Sequence, residues 1–354
     1  MTGDKLARFR ASPYFPASVL VLILTAAAAL FAGSYTYAMA KPTPRNVPIA
    51  VVNPQGDSEV REFLGALNRN LNGALDAQEF GDRAGALTAL ESQRVFAIVE
   101  KRPAGVGVDV AGASGASVAE LLTQQALAAG AATRVPTAVT DLVPLQPGDP
   151  RGLGMFYITL AAIIVGFVGA IQLNVHAGGL PPAVRVAFIA AYALCGGFAI
   201  TATVDWALGA LSLVFPESGL ILALTMFTAG MVFTMFNTLF GRWAMVPTWV
   251  ILVLLGNPSS GGAVSWPLLP SVLAFLGQWL PPGASIEAQH TAVYFHDHQR
   301  WFPFLVLAGW SLLTSTIYLF AERRKLAKAA DTPTIGPLLP GESGGVGVGG
   351  AGRE

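Results

Sequence analysis

Residues 17–40 carry no charged side chain, and the stretches 153–175, 184–211, 219–240 and 302–320 together carry only Arg185 and Asp205. A helix needs about 20 consecutive apolar residues to cross the hydrocarbon core of a bilayer. Each of these runs meets or approaches that length, so the chain reads as an α-helical polytopic membrane protein. Composition agrees: 12% of the 354 residues are charged, against roughly 25% in a soluble domain. The formal net charge is zero, which gives no electrostatic reason to expect nucleic acid as a partner. The partner to expect is the lipid bilayer. The single cysteine, Cys195, lies in an apolar run and reads as packing.

The first run has a rival reading as a cleaved signal peptide, because Ala38-Met39-Ala40 fits a small-residue cleavage site. Its apolar part, 17–33, is longer than the usual signal core of about 7–15 residues. That length favours an uncleaved first helix over 17–40, preceded by a cytoplasmic segment, 1–16.

Between 41 and 151 charges return and no run is long enough to span. The β-branched stretch Val47–Val52 ends at Asn53-Pro54, as a strand before a turn would. Val60, Phe63, Leu64, Leu67, Leu71 and Leu75 share one helical face, predicting a helix over 58–75. A helix over 82–90, strands over 95–99 and 106–110 and a helix over 117–129 follow. The segment from Val139 to Leu145 leads back to the membrane, stiffened by Pro144, Pro147 and Pro150. This reads as a small extracytoplasmic α/β domain inserted after the first helix.

The remaining part, 152–322, is expected to hold five helices and a re-entrant segment at 256–283. Trp243–Leu255 is apolar but reaches only about 20 Å at about 1.5 Å per residue. It meets Gly256-Asn257-Pro258-Ser259-Ser260-Gly261-Gly262, a helix-breaking sequence. A second half-length piece, 268–280, stops at Pro281-Pro282-Gly283. A broken half-helix and a second half-helix suggest an excursion that enters and leaves on one side, between the fifth and sixth of about six spans. The alternative is one tilted span with an ordinary loop.

Orientation follows the positively charged loops. Lys5, Arg8, Arg10, Arg185, Arg242, Arg323, Arg324, Lys325 and Lys328 fall on one side if six helices cross. Both termini are then cytoplasmic and the α/β domain faces out. The Gly- and Pro-rich tail within 323–354 reads as disordered after Asp331.

Chemistry-bearing motifs are sparse. There is no G-x-x-x-x-G-K-[ST] phosphate loop, so ATP hydrolysis would need a separate subunit, and no nucleophile motif with partners marks an enzyme. His290, His296 and His298, with Asp297, could offer metal ligands but match no defined spacing. The rival reading is a polar interfacial loop. No cofactor is expected. Asp205 is the carboxylate inside an expected span, either functional or interfacial. Gln172 and Asn237 suit interhelical hydrogen bonds, and the small-residue stripes Ala162/Gly166/Ala170 and Ala183/Ala187/Ala191 suit close helix packing.

The order of one span, an outer α/β domain and five spans resembles the type-2 ABC exporter permeases, and within them the phage-infection-protein-like branch. The residues carrying the resemblance are Val51-Val52-Asn53, the block from Asp82 to Val99, Pro144–Gly152, Gly256–Gly262, Leu269-Pro270 and Leu280–Gly283. It covers the chain to about Ala321. The outer domain and first inner loop are short for that branch. The resemblance implies a homo- or heterodimeric permease subunit in a bacterial plasma membrane, exporting a hydrophobic or amphipathic molecule with a partner ATPase. It equally admits a non-transporting envelope scaffold or receptor whose outer domain binds a partner. In the transport reading Asp205, Gly256, Asn257, Pro258, Ser259 and Gly261 would form an outer gate.

Overall fold

The computed structural model describes Ser12 and residues 14–330. Much of the expected cytoplasmic segment 1–16, and the tail expected to be disordered, lie outside the described residues. The fold is mostly helical, with five helices long and apolar enough to cross a membrane: α1 (Tyr14–Met39), α5 (Gly154–His176), α6 (Pro182–Ala202), α7 (Phe215–Phe240) and α11 (Phe302–Ala330). A shorter apolar helix, α8 (Met245–Ser259), adds to these.

A five-stranded mixed sheet follows α1. Its strands are β1 (Val47–Val52), β2 (Leu75–Phe80), β3 (Ala97–Arg102), β4 (Gly105–Val110) and β5 (Thr137–Asp141), in the order β2-β1-β3-β4-β5. Only the β3–β4 hairpin is antiparallel. Successive strand residues point to opposite faces. Val47, Ile49 and Val51 therefore pack under α2 (Ser58–Asn70) and α4 (Ala116–Thr133), while Ala50 and Ile98 pack under α3 (Arg83–Glu91). Asp57 and Asp82 start α2 and α3 as N-caps, accepting the backbone N–H of Glu59 and of Gly85.

β2 and β5 were not expected. The helix foreseen over 58–75 stops at Asn70, where Asn72 and Gly73 take positive φ and turn the chain into β2. Buried between β3, β4 and α3 is a charge cluster. Asp109, side chain 1% exposed, accepts from Arg83 and Arg102, each at 2.7 Å, and Glu100 pairs with both arginines.

The domain is bound to the helical part. The linker before β1 pairs with the chain after α8: Arg45 N–H donates to the Pro267 carbonyl at 2.8 Å and its guanidinium to the Leu269 carbonyl at 3.0 Å. Leu268 enters the domain core itself.

Among the long helices α7 is the central one. The stripe Ala162, Gly166, Ala170 on α5 is buried against it as expected, and a Cβ on Gly166 would stand 2.7 Å from the Met226 carbonyl oxygen. The second expected stripe is wrong. Ala183, Ala187 and Ala191 are exposed, and α6 packs on α7 through Ile189, Ala193, Gly197 and Thr201. Cys195 is exposed on the outward face and not packed. The interhelical bond expected from Gln172 or Asn237 is made instead by Asn174 to Thr234, at 3.0 Å. Gly166→Leu should push α5 off α7 at a cost of about 1–3 kcal/mol, read as a lowered unfolding temperature in detergent.

The expected spans and breaks differ from the structure in detail. α6 ends at Ala202 and winds into a π-turn at Thr203–Ala207, well short of residue 211. Residues 256–259 do not break the chain. α8 runs through Gly256, Asn257 and Pro258 to Ser259 because its turn Val250–Gly256 is π-helical. Pro258 has no N–H for the carbonyl four residues back, and a π-turn bonds five residues on. The turn comes later, where Gly261 takes φ +81. Finally, Pro281-Pro282-Gly283 does stop the preceding helix, which ends at Trp279, but it also starts a further one, with Pro at the favoured first position.

Two helices, α9 (Ser271–Trp279) and α10 (Pro281–Tyr294), thus form a hairpin. α9 begins beside Ala38 at the end of α1, through Leu269 and Leu273, and ends where Trp310 donates its indole N–H to the Trp279 carbonyl at 2.8 Å. Trp310 lies eight residues into α11, about 12 Å along it. α10 then climbs back along α7: Ser285 bonds Thr225 at 2.7 Å, Gln289 bonds the Ser218 carbonyl at 3.0 Å and Tyr294 meets Gln146 near the domain. The chain therefore descends among the long helices and returns, with its tip at 279–282, inside the expected segment 256–283.

Candidate functional site

A cavity of about 1360 Å³ lies between the sheet domain and this hairpin. Ligand sites are usually clefts of about 300–1,000 Å³, so this one exceeds the usual range. Its roof is the domain: the turn at Gly112–Gly115, the start of α4 and the end of α3 contribute Ser114, Ser117, Gln124, Gln93 and Arg94. One wall is the loop Ser259–Ala263 with Trp266, and another is α9 through Ala274, Gly277 and Gln278.

The remaining wall is one face of α10. Gly283, Ile286, Glu287 and His290 recur at helical spacing and all line the cavity. The opposite face, Ser285, Ala288, Gln289 and Ala292, is buried. Its hydroxyl and amide meet α7 and α5, with Ser285 also 3.4 Å from Thr159. Sequence reading took this segment for a polar loop. The proline at its first turn and the four-residue stripe were the signals that could have found it.

Two titratable side chains on that face have partners. Glu287 forms an ion pair with Arg300. The His290 Nδ1 lies 2.9 Å from the Ala113 carbonyl. A bond to a carbonyl requires Nδ1 to carry a proton, so His290 ties α10 to the domain as a donor.

His290→Gln can still donate to Ala113, whereas His290→Ala cannot. The unfolding temperature in detergent should therefore fall more in His290→Ala than in His290→Gln.

The expected site residues scatter. Ser259 and Gly261 line the cavity, whereas Gly256, Asn257, Pro258 and Asp205 do not. Asn257 is buried against α1, and among the described residues its Nδ2 has no hydrogen-bond partner. Asp205 sits half-buried on the π-turn after α6, beside Trp206, which stacks on Phe215 at 4.2 Å. Among the described residues its carboxylate has no hydrogen bond to the 256–261 segment. The histidines also separate. His290 bonds Ala113, His296 bonds the Ala292 carbonyl and His298 lies 3.7 Å from Glu91. Among the described residues no group of three or more His, Cys, Asp or Glu could hold a metal ion. His290 and His298, with Gln93 on Thr291 at 3.3 Å, instead stitch the hairpin side to the domain.

Fold and site together define a membrane-type helical protein whose sheet domain roofs a large amphipathic cavity. The chain matches no protein-family model, no curated protein and no solved structure.

Proposed function

We propose that the protein handles an amphipathic or hydrophobic molecule at the outer side of a bacterial plasma membrane, as the permease subunit of an exporter. The observation that carries the reading is the cavity, polar on its domain side and backed by a helix that also faces outward. On α9, Ala274 and Gln278 line the cavity while Val272 and Phe275 are exposed on the surface. A molecule with a polar head and an apolar tail could slide from the bilayer past that helix.

In this reading α1, α5, α6, α7, α8 and α11 cross the bilayer and α9–α10 re-enters it. Three features support that placement. α8 leads from the Arg242 end of α7 to the domain side, so it crosses with the long helices although it reaches only about 22 Å. Arg185 pairs with Glu322 at 2.9 Å, and Lys325 bonds both Glu322 and the Thr238 carbonyl, gathering basic residues at the end away from the domain. Exposed Trp206, Trp266 and Trp301 cluster near the domain end, with Trp243 at the other, as interfacial belts do. Re-entrant backbone is tolerated when protein satisfies it, and α7 does so here.

ATP would be hydrolysed by a separate subunit, and a second permease copy would complete a dimer. α1 leaves the face for one: the apolar window of α1 contains no buried residue. The test is affinity capture of the tagged protein in mild detergent, followed by mass spectrometry of co-purified proteins and of solvent-extracted small molecules. A stoichiometric ATPase and an amphipath absent from Ala274→Trp, which narrows the cavity at its α9 wall, support the reading. Identical extracts from both would sink it. Capture of envelope proteins alone would favour the scaffold or receptor role.

A further inference from the structure

Resting on that reading, we infer that the cavity takes an amphipath with an anionic phosphate head, held by Arg94 and Arg151 where α4 begins. β4 and β5 run parallel and α4 joins them. In open α/β sheets ligands bind outside the carboxyl ends of such strands. Here the carboxyl end of β4 runs into the turn Gly112–Gly115, in the roof of the cavity. The N–H groups of a helix's first turn have no partner within the helix, and with the helix dipole they favour an anion. Gly115 stands at the cap position of α4 and brings no side chain to them. Ser114, beside it, also lines the cavity, and its buried hydroxyl has no hydrogen-bond partner among the described residues.

The two arginines flank this turn. Arg94 lies two residues before Phe96, whose carbonyl accepts the Ala111 N–H at 3.2 Å. Arg151 precedes Gly152, where a Cβ would stand 3.2 Å from that of Ala116, the first residue of α4. Both arginines are exposed and line the cavity, and neither makes an ion pair among the described residues. The other lining charges are met within the protein. Arg300 pairs with Glu287, Asp141 accepts the N–H groups of Gly112 and Val143 at 3.0 and 3.1 Å, and Glu120 accepts from Gln124 at 3.3 Å. A phosphate that leaves water needs opposite charge and donors in its place, and the arginine fork fits its oxygens two at a time. Arg94 and Arg151 are the lining cations left to supply that. Leu153, Ile286 and Phe302 give apolar lining for the chain beyond the head.

The test uses the full-length protein in immobilised phosphatidylcholine nanodiscs, with empty nanodiscs subtracted. The probes are decyl phosphate, decyl maltoside and decyltrimethylammonium, with inorganic phosphate as the head without a chain. The expected result is saturable binding of decyl phosphate at least tenfold tighter than the other two decyl probes. Arg94→Gln, Arg151→Gln and Ser114→Ala should each weaken it several-fold with an unchanged unfolding temperature. Equal binding of the three decyl probes, or preference for the uncharged or cationic one, overturns the head class and leaves the amphipath reading standing. Decyl phosphate bound as tightly by both arginine variants overturns the site. Inorganic phosphate binding as tightly as decyl phosphate also overturns the proposal, in favour of a soluble phosphate. No saturable binding of any probe overturns the amphipath reading itself.

Discussion

Gly277→Leu is expected to lower the unfolding stability of the detergent-solubilised protein by about 3 kcal/mol, the upper end of the cost of overpacking. A Cβ at this position would overlap the Ser259 carbonyl oxygen, and the Gly277 carbonyl in turn fills the space of a Cβ on Gly283. Backbone lies on both sides, so no side chain can swing away to make room. The turn at the end of α8, the helix α9 and the start of α10 are thus held at glycine distance from one another. The added side chain would pry open the floor of the cavity, and the loss of stability should come with loss of any co-purified amphipath. Gly309→Leu is the matched control, since nothing stands within 4 Å of its Cβ position. An unchanged unfolding temperature in Gly277→Leu would mean that the hairpin does not pack under the 259–262 turn.

Asp109→Ala is expected to cost the sheet domain about 3 kcal/mol. Breaking a buried ion pair from one side costs about 3–5 kcal/mol, because a charge is left without its partner. Here the stranded arginines keep some access to water: the Arg83 and Arg102 side chains are 39% and 29% exposed, and Glu100 remains beside both. The lower end of the range therefore applies. Limited proteolysis of the intact protein should show the domain cut before the helical part. Glu59→Ala, which removes the exposed partner of Lys101, should cost under about 1 kcal/mol. Equal effects of the two substitutions would contradict the buried network.

Much of the architecture is legible because burial imposes a period. Val47–Val52 is a strand at the residues the β-branched run marks, and α3 and α4 fall within two residues or so of their expected starts. β2 was missed because it is an edge strand whose Asp76 and Glu79 face solvent, and its first residue, Leu75, continues the helical spacing of Leu67 and Leu71. The turn residues Asn72 and Gly73 outweigh that spacing. The helix ends differ in detail for another cause. Proline and glycine were read as breakers at 256–262 and at 281–283. α8 passes Pro258 through a π-helical turn and ends at Ser259, inside the first, and α9 ends at Trp279, just before the second, where the same prolines also begin α10.

The site was less legible than the fold. Its walls come from segments more than half the chain apart, and the partner of His290 is a carbonyl on the sheet domain, Ala113, which no local pattern reveals. Asp205 and Asn257 were singled out because polar groups in apolar runs are costly. One is met by its place on a turn at a helix end, and the other is buried against α1 with its Nδ2 unpartnered among the described residues.

The account turns on the sheet domain and the cavity rim facing the outside while the Arg185–Glu322 end faces the cytoplasm. The direct measurement is labelling of intact cells with a membrane-impermeant maleimide, in a Cys195→Ala background carrying one new cysteine at a time. Gln124→Cys and Asp76→Cys should be labelled in intact cells, and Arg242→Cys only after the membrane is permeabilised. Labelling of Arg242→Cys in intact cells with protection of Gln124→Cys would contradict the account.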